Sequence, residues 1–421
     1  MWLPLAGAAL LTVGFVLGLG LQRTADPLVR VVDDERVAPN ALGIGRVEEL
    51  LRYVEARYVD AVAPDSLVAA TMATLLSGLD PYSAYVPPAD VGAHFDRLAG
   101  STEATGVELA VAGDSVVVLG VLPGSPAAAG GVLEGDRVLE IGESAVGGAG
   151  FDYAGLTEAF ATLPGGPVRL VLFRRGVGVL PPVSLPRRRL ALPTVGEGRL
   201  IEPDIAYVAV EQFADSTYFE FMRVLEDLVG ARGARHLILD LRGNGGGYLR
   251  EAVRLVGQFF PEAGTLLVYT EGAHAPRRDY TSSGRVLFPV DRVAVLVDGG
   301  SASASEVVAG ALQDWDRGTV VGRPTFGKGL VQEAFDLKDG GVLHLTVSRY
   351  FTPAGRSIQR AYGSTAAEEP AYRTAAGRPV YGGRGIEPDV YVAVDPEAPR
   401  GEGRTGDPDI AAAVAAIRAG R

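Results

Sequence analysis

Cysteine is absent from the 421-residue chain, which removes disulfides, thiol nucleophiles, thiolate zinc sites and lipid attachment through sulfur in one step. Lysine is nearly absent. Of 39 Lys plus Arg residues only Lys328 and Lys338 are lysine, so arginine carries almost every cation. There is no surplus of positive charge either: the formal net charge is −12, and phosphate recognition needs clustered cations, so nucleic acid is not an expected partner. The one basic run, Arg187-Arg188-Arg189, is short and reads as a solvated linker or strand edge. Collagen-like and low-complexity patterns are lacking, and so is any internal repeat of useful length.

What is present is globular. Hydrophobic residues make up 47% and charged residues 21%, and a chain this long supports roughly two to four domains. Met1 to Gln22 carries no charged side chain, and Leu3 to Leu21 approaches the length of a bilayer-crossing helix. No convincing cleavage site follows it, so a retained membrane anchor is favoured over a cleaved signal. Val47 to Tyr58 has helical spacing, Ser66 is placed to cap a second helix through Leu76, and a short helix is expected around Ala89 to Leu98. From Ser101 to about Leu190 the chain turns Gly-rich with short β-type runs such as Ser115 to Val121 and Val168 to Phe173. Beyond Ala191, strands alternate with helices, the pattern of an α/β layer structure with parallel strands. Tyr362 to Pro379 reads as a loop, and Asp407 to Arg418 as a terminal helix.

Three stretches of this last region are richer than packing needs: Asp240-Leu241-Arg242-Gly243-Asn244-Gly245-Gly246-Gly247, Gly300-Ser301-Ala302-Ser303-Ala304-Ser305-Glu306, and Gly322-Arg323-Pro324-Thr325-Phe326-Gly327-Lys328-Gly329. Each follows an apolar strand, and loops beyond the carboxyl ends of parallel strands converge in one crevice. The glycine triplet leaves backbone N–H groups unshielded, as an oxyanion hole requires. A nucleotide P-loop is discounted, because GRPTFGKG lacks the Ser/Thr ending and runs on into a strand. A serine nucleophile needs a base. Lys328, set between glycines in an arginine-using chain, is the attractive choice, since lysine can lose its proton and arginine cannot. His94, His236, His274 and His344 compete for the role and keep a Ser-His-Asp arrangement open as second choice.

Gly124 to Gly148, with Thr105 to Leu109 upstream, resembles a PDZ domain. The resemblance implies that Gly106, Val107, Glu108 and Leu109 form the loop and strand that receive a C-terminal carboxylate and pair with the peptide by β-addition. Taken together with LDPYS (Leu79 to Ser83), RYFTPAGRSIQ (Arg349 to Gln359) and GIEPDV (Gly385 to Val390), the motifs in their order resemble the carboxyl-terminal processing peptidases, the tail-specific family of Ser-Lys serine endopeptidases. That resemblance implies a mixed α and β fold, with an α/β core of the ClpP/crotonase-like type, an inserted PDZ-like β-rich module and N-terminal helices. It divides the chain into residues 1–22 (anchor or signal), 28–100 (helical), 101–190 (PDZ-like), 191–395 (protease core) and 396–421 (tail with a short helix).

The family roles fall on Ser303 as nucleophile, Lys328 as base and Gln332 as the residue orienting it, with Ala304 and Gly246 as oxyanion donors and Gly247 as rival to Gly246. Ser301 and Ser305 are rival nucleophiles by proximity. Asp314 and Glu306 read as anchors and structural support. No metal or other cofactor is expected. The expected partners are proteins with exposed, unfolded, apolar C-terminal tails on the extracytoplasmic side of a membrane, and homo-oligomerisation is left open. The reading from another class is a membrane-tethered scaffold that binds C-termini without cleaving them.

Overall fold

The computed structural model describes residues 44–163, 166–360, 371–393 and 406–420, so the apolar segment within residues 1–22 lies outside the described residues. Short Val-, Ile- and Leu-rich runs become a six-stranded sheet: β1 (Arg199–Glu202), β2 (Ile205–Ala209), β3 (His236–Asp240), β4 (Arg292–Val297), β5 (Gly318–Gly322) and β6 (Val390–Tyr391), side by side in chain order. Only β1 runs antiparallel to its neighbour, and the other four pairings are parallel.

Both faces of this sheet are covered, as parallel strands demand. Alternate residues separate cleanly. Ala206, Val208, Leu237, Leu239, Val293, Val295 and Val320 pack with α1 (Thr217–Leu225), α2 (Leu249–Gly257) and α3 (Ala304–Asp314) in one core. Ile205, Tyr207, Ile238, Ala294, Leu296 and Val321 face the other way and pack with Ile410, Ala413, Ala416 and Ile417 of α4 (Pro408–Ala419). The terminal helix, set apart as a tail from its sequence, is therefore the cover of the second sheet face. Burying Ile410 and Ile417 is worth about 1.5–3 kcal/mol each. Asp407 caps α4 by accepting the amides of Asp409 and Ile410, and Arg242 and Arg323 hold Asp409 at 2.8 Å.

The β-rich module has its own core of Val116, Val118, Val138, Ile141, Leu156, Leu170, Leu172 and Leu185. Its sheet is antiparallel and ends on strand Val107–Ala112, which among the described residues pairs on one side only, with Ser115–Val121. Helix Tyr153–Ala161 packs against that edge strand.

Residues 44–91, 270–277 and 330–349 form a second compact unit. In it, helices Ile44–Arg57 and Pro64–Ser77 accompany a hairpin of Leu330–Asp336 with Val342–Arg349, to which Ala84–Val86 adds a strand. The second helix starts at Pro64 with Ala63 at its cap instead of Ser66, because proline at the first helical position has no N–H to satisfy. The LDPYS turn is organised by Asp80, whose carboxylate accepts the Tyr82 and Ser83 amides and the Ser83 hydroxyl, each at 2.8 Å. Two further departures from the sequence reading are local. The helix after β2 ends in a π-helical stretch, Glu226–Ala231, and the segment read as a loop contains a hairpin of Ala371–Arg373 with Pro379–Tyr381.

Candidate active site

The three chemistry-bearing loops leave β3, β4 and β5 at their carboxyl ends and are tied to one another by backbone-directed hydrogen bonds. Asp298 Oδ1 accepts Gly243 N–H and Gly300 N–H at 2.9 Å, Ala302 N–H donates to Asn244 O at 3.0 Å, and Phe326 N–H donates to Ser301 O at 3.0 Å. Convergence of distant loops, expected from parallel topology, is thereby met in atomic detail.

Ser303 sits where the β4 loop turns into α3. It is nearly buried, and its backbone has φ 56° and ψ −113°, a region that side chains other than glycine avoid. Among the described non-glycine residues only Asp316 shares a positive φ. Such strain persists only where surrounding bonds over-determine it, and a serine on a sharp strand-to-helix turn is the arrangement that presents a nucleophile. The bonds that hold it are in place. Ser303 N–H donates to Glu306 Oε2 at 2.8 Å, and Ser303 O accepts from Glu306 and Val307 at 2.9 and 3.0 Å.

Glu306 does more than cap. Its fully buried carboxylate also accepts Lys328 N–H at 2.8 Å on the same oxygen, and Gly327 N–H at 2.8 Å and the Thr325 hydroxyl at 2.5 Å on the other. One carboxylate thus joins the Ser303 turn to the Lys328 loop. Burial pushes its carboxyl up from the ordinary range, opposed by the bonds from Thr325, Ser303, Lys328 and Gly327. All four partners are donors, which is the shell an ionised carboxylate takes.

Lys328 is half-buried, between two glycines whose missing side chains matter. A Cβ at Gly327 would lie 2.9 Å from Arg360 Cβ, and one at Gly329 would lie 2.6 Å from Gln359 N. The loop is pinned further by Gly329 N–H to Gln359 Oε1 at 2.9 Å and by Tyr350 N–H to Gly329 O at 2.8 Å. Gln332 belongs to the other unit, on strand Leu330–Asp336 at a register irregularity beside Val331, and its Nε2 is buried with no hydrogen-bond partner among the described residues.

The expected oxyanion donors stand differently. Ala304 is the first residue of α3 and fully buried. Gly246 lies against the Ser303 turn, since a Cβ there would come within 2.8 Å of Ala302 O and 2.9 Å of Ser303 Cβ, but its N–H is donated to Asn244 Oδ1 at 2.8 Å. Close approach, rather than a free amide, is what glycine supplies at this position in this structure. At Gly247 a Cβ would lie 2.1 Å from Phe213 O, so the neighbour is also glycine for steric reasons.

Rival serines are spent elsewhere. Ser301 Oγ donates to Leu241 O at 2.7 Å and accepts Asp298 N–H at 3.0 Å, and Ser305 Oγ donates to Asn244 O at 2.9 Å. His236 begins β3, with Nε2 3.8 Å from Asp204, so the length of the strand, about 13–16 Å, separates it from the loop end. Asp314 is paired with the buried Arg356 at 2.7 Å and accepts Ala354 N–H at 3.0 Å, an anchor for the loop after residue 351.

Sequence reasoning did not single out Asn244 or Tyr350. Asn244 is fully buried and donates Nδ2–H to Val210 O at 2.7 Å while serving Gly246, Ala302 and Ser305. Its place inside DLRGNGGG was visible, but which of its groups fasten which loop was not. Tyr350 stands in RYFTPAG, far along the chain, and is buried, with its N–H donated to Gly329 O at 2.8 Å beside Lys328.

In the β-rich module, Gly106 has φ 84°, and a Cβ there would fall 2.2 Å from Ser125 Cβ, so only glycine fits. Val107, Glu108 and Leu109 lie on the edge strand, with a bulge between Glu108 and Leu109. Val107 and Leu109 pack partly against the module core, and Glu108 is exposed. Among the described residues no helix is long and apolar enough to cross a membrane, and no group of three or more His, Cys, Asp or Glu residues is placed to hold a metal.

A family model described as Peptidase family S41 matches residues 204–392, the span from β2 to just past β6. A carboxyl-terminal-processing protease of Synechocystis sp. is 32% identical over 296 residues, covering 68% of this chain and 67% of that protein. A carboxy-terminal-processing protease of Bartonella bacilliformis is 28% identical over 356 residues, covering 82% of this chain and 79% of its own length. A crystal structure described as that of an S41 protease from Bacteroides fragilis superimposes with a TM-score of 0.52 at 18% identity, covering 93% of this chain and 92% of that one, a likeness of fold.

Proposed function

We propose, from the premise that this chain belongs to peptidase family S41 and is a serine-type C-terminal processing protease, that Ser303 and Lys328 are its nucleophile and base and that the β-rich module selects its substrates. The observation that carries the assignment is the Glu306 carboxylate. It accepts Ser303 N–H and Lys328 N–H on one oxygen, at 2.8 Å each, and so fixes a strained serine and a glycine-flanked lysine in a single frame.

In this reading neutral Lys328 takes the Ser303 Oγ proton as the oxygen attacks a peptide carbonyl. The oxyanion is received by Ala304 N–H at the start of α3, with Gly246 as second donor once its N–H leaves Asn244. The amine leaves with the proton from Lys328, and water, activated by the same amine, hydrolyses the acyl-enzyme. The family resemblance gives Gln332 the role of orienting the lysine. Neither a metal nor another cofactor has a step to perform.

The module's part is supported by its edge strand Val107–Ala112, which among the described residues pairs on one side only and lies beside helix Tyr153–Ala161, the setting in which an extended peptide adds a strand. Val107 and Leu109 border the pocket for the last side chain, and the turn at Gly106 receives the terminal carboxylate. Substrates are accordingly proteins with exposed, unfolded, apolar C-terminal tails. The uncharged run Leu3 to Leu21 supports an exported chain held at a membrane.

The test is to remove residues 1–24 and incubate the remaining protein and its Ser303→Ala variant with an unfolded protein bearing an apolar C-terminal tail. Fragments from the parent alone support the assignment. Tail binding by both without cleavage by either would replace it with a tethered binding protein. Cleavage should also rise with pH as the lysine base becomes neutral, and a flat profile from acid to alkaline pH would remove lysine from the role.

A further inference from the structure

On the sheet face that α4 covers, the start of that helix meets the ends of two strands through charged groups. Asp409 Oδ2 accepts Arg242 Nη1–H at 2.8 Å, and Asp409 Oδ1 and Oδ2 each accept Arg323 at 2.8 Å, a two-bond fork that fixes direction as well as distance. Arg242 is held in turn by Asp240, at 3.0 Å through Nε and 2.6 Å through Nη2, and by Asp407 Oδ1 at 3.2 Å. The Asp409 side chain is 3% exposed, so these bonds escape the screening that weakens a surface pair.

The two arginines stand on loops that are not neighbours. Arg242 follows β3 and Arg323 follows β5, while β4, which leads to Ser303, runs between them. Asp409 therefore bridges two strand spacings, about 10 Å, from the α4 side. Just beyond Arg242, Asn244 takes the Gly246 N–H and the Ala302 N–H. Just beyond Arg323, the Thr325 hydroxyl donates to Glu306, which also takes the Lys328 N–H.

We infer that Asp409 is a positioning residue for the reaction, setting from α4 the distance between the Gly246 loop and the Lys328 loop on either side of Ser303. The inference rests on the proposed roles of those three residues. Its physical reason is that covering the sheet does not need these charges. Burying ions costs desolvation that well-packed apolar groups avoid, and the contacts of Ile410, Ala413, Ala416 and Ile417 have no direction of their own. A carboxylate gripped from two strands permits one register only. Asn244 ties the Gly246 loop to the Ser303 loop and Glu306 ties the Ser303 loop to the Lys328 loop, whereas Asp409 ties the two outer loops directly to each other.

The carboxylate keeps its charge in this setting. Burial alone would push Asp409 up, but the bonds from Arg323 and Arg242 outweigh it and hold the carboxyl below the usual 3.8. An amide of the same size would lose that charge and turn N–H₂ toward a guanidinium, which has no acceptor to offer.

The experiment compares the full-length parent with Asp409→Asn, Ile417→Ala and Ser303→Ala for kcat and KM on a tailed peptide and for Tm, with rates read well below every Tm. For Asp409→Asn the expected result is a fall of about 10–100-fold in kcat with KM within about twofold of the parent, because displaced loops lose alignment in the transition state and not tail binding. Ile417→Ala weakens the same helix through its apolar face and should lower Tm while leaving kcat at the parent value.

Parent-like kcat in Asp409→Asn, with Ser303→Ala inactive, overturns this inference and leaves the nucleophile assignment standing. So does an equal loss of kcat in Ile417→Ala, which would make α4 a cover and nothing more. Cleavage by Ser303→Ala at the parent rate overturns the assignment and the inference together. If Asp409→Asn fails to fold, Arg323→Gln leaves α4 held by Arg242 and its apolar face and releases only the Lys328 loop. The same fall in kcat is then expected, and parent-like kcat overturns the inference.

Discussion

Two serines in this molecule sit at helix starts after glycine-rich turns, and they are used in opposite ways. In the β-rich module Ser125 has φ −75° and ψ 164°, and its side chain accepts the Ala128 N–H at 3.2 Å, an ordinary cap. At α3, Ser303 has φ 56° and ψ −113°, and a glutamate one turn on takes its N–H. The surroundings differ to match. The module is held by an apolar core, with Asp136 and Arg174 as a buried-edge ion pair at 2.7 Å. The Ser303 turn is held by buried Asn244, Ser301, Ser305, Glu306 and Thr325, every one of them hydrogen-bonded. A surface that binds a strand needs only an open edge on a stable sheet. A reacting oxygen needs fixed polar partners, and these are affordable only where each is satisfied.

The strongest way to break this contrast is at the serines themselves. Ser303→Ala and Lys328→Arg should each reduce peptide cleavage by about 10³-fold or more while leaving tail binding unchanged, whereas Ser125→Ala should cost about 0.5–2 kcal/mol of module stability and little catalysis. Kinetics on a tailed peptide, together with thermal melts, separate the two. If Lys328→Arg cleaves at the parent rate, the lysine has no basic role.

Next in size is Glu306→Gln. An amide presents N–H₂ to two of the four donors now facing carboxylate oxygens, so the expected cost is about 1–3 kcal/mol in denaturant unfolding and a fall in kcat larger than any change in KM. Unchanged stability would mean that the four-donor frame does not hold the turn.

A smaller effect is expected at the module. Gly106→Ala must place a Cβ against Ser125 at a left-handed φ, and a cost of about 1–3 kcal/mol is expected, with weaker tail binding and unaltered reaction of Ser303 with a small activated ester. Equal losses on both substrates would show that the module and the nucleophile are not separable.

The gentlest test is pH. The Arg174 guanidinium beside Asp136 holds that carboxyl below its usual 3.8, so the stability it lends is present above that value and is lost as pH falls through the lowered one. Tyr350 is the reverse. Burial raises its phenol from 10 to about 12, so its contribution is whole below pH 10 and is lost as pH rises toward 12. Calorimetry should therefore show the module transition moving down on the acid side and the core transition on the alkaline side. Parallel shifts of both transitions in either direction would remove these two groups as the cause.

The sequence carried much of this. Strands β2 to β5 and helices α2 and α3 are legible because apolar runs of period two and 3.6 are bounded by glycine-rich turns, and the three loops are legible because serine, glycine and a lone lysine have no packing reason to cluster there. The cap of the second helix was misplaced by three residues, from Ala63 to Ser66, since Ser66 and Pro64 both signal a helix beginning and only the backbone decides between them.

What the amino-acid order determined by itself is the family and the layered α/β character, because these follow from local periodicity and from motifs that are contiguous in the chain. Which partners those residues meet was decided by tertiary structure. The Gly246 amide turned to Asn244, the terminal helix closed a sheet face, Glu306 joined two loops, and Ser305 reached back to Asn244 across 61 residues. Hydrogen bonds between residues so far apart depend on where the sheet delivers its loops, and no spacing within a single segment encodes that.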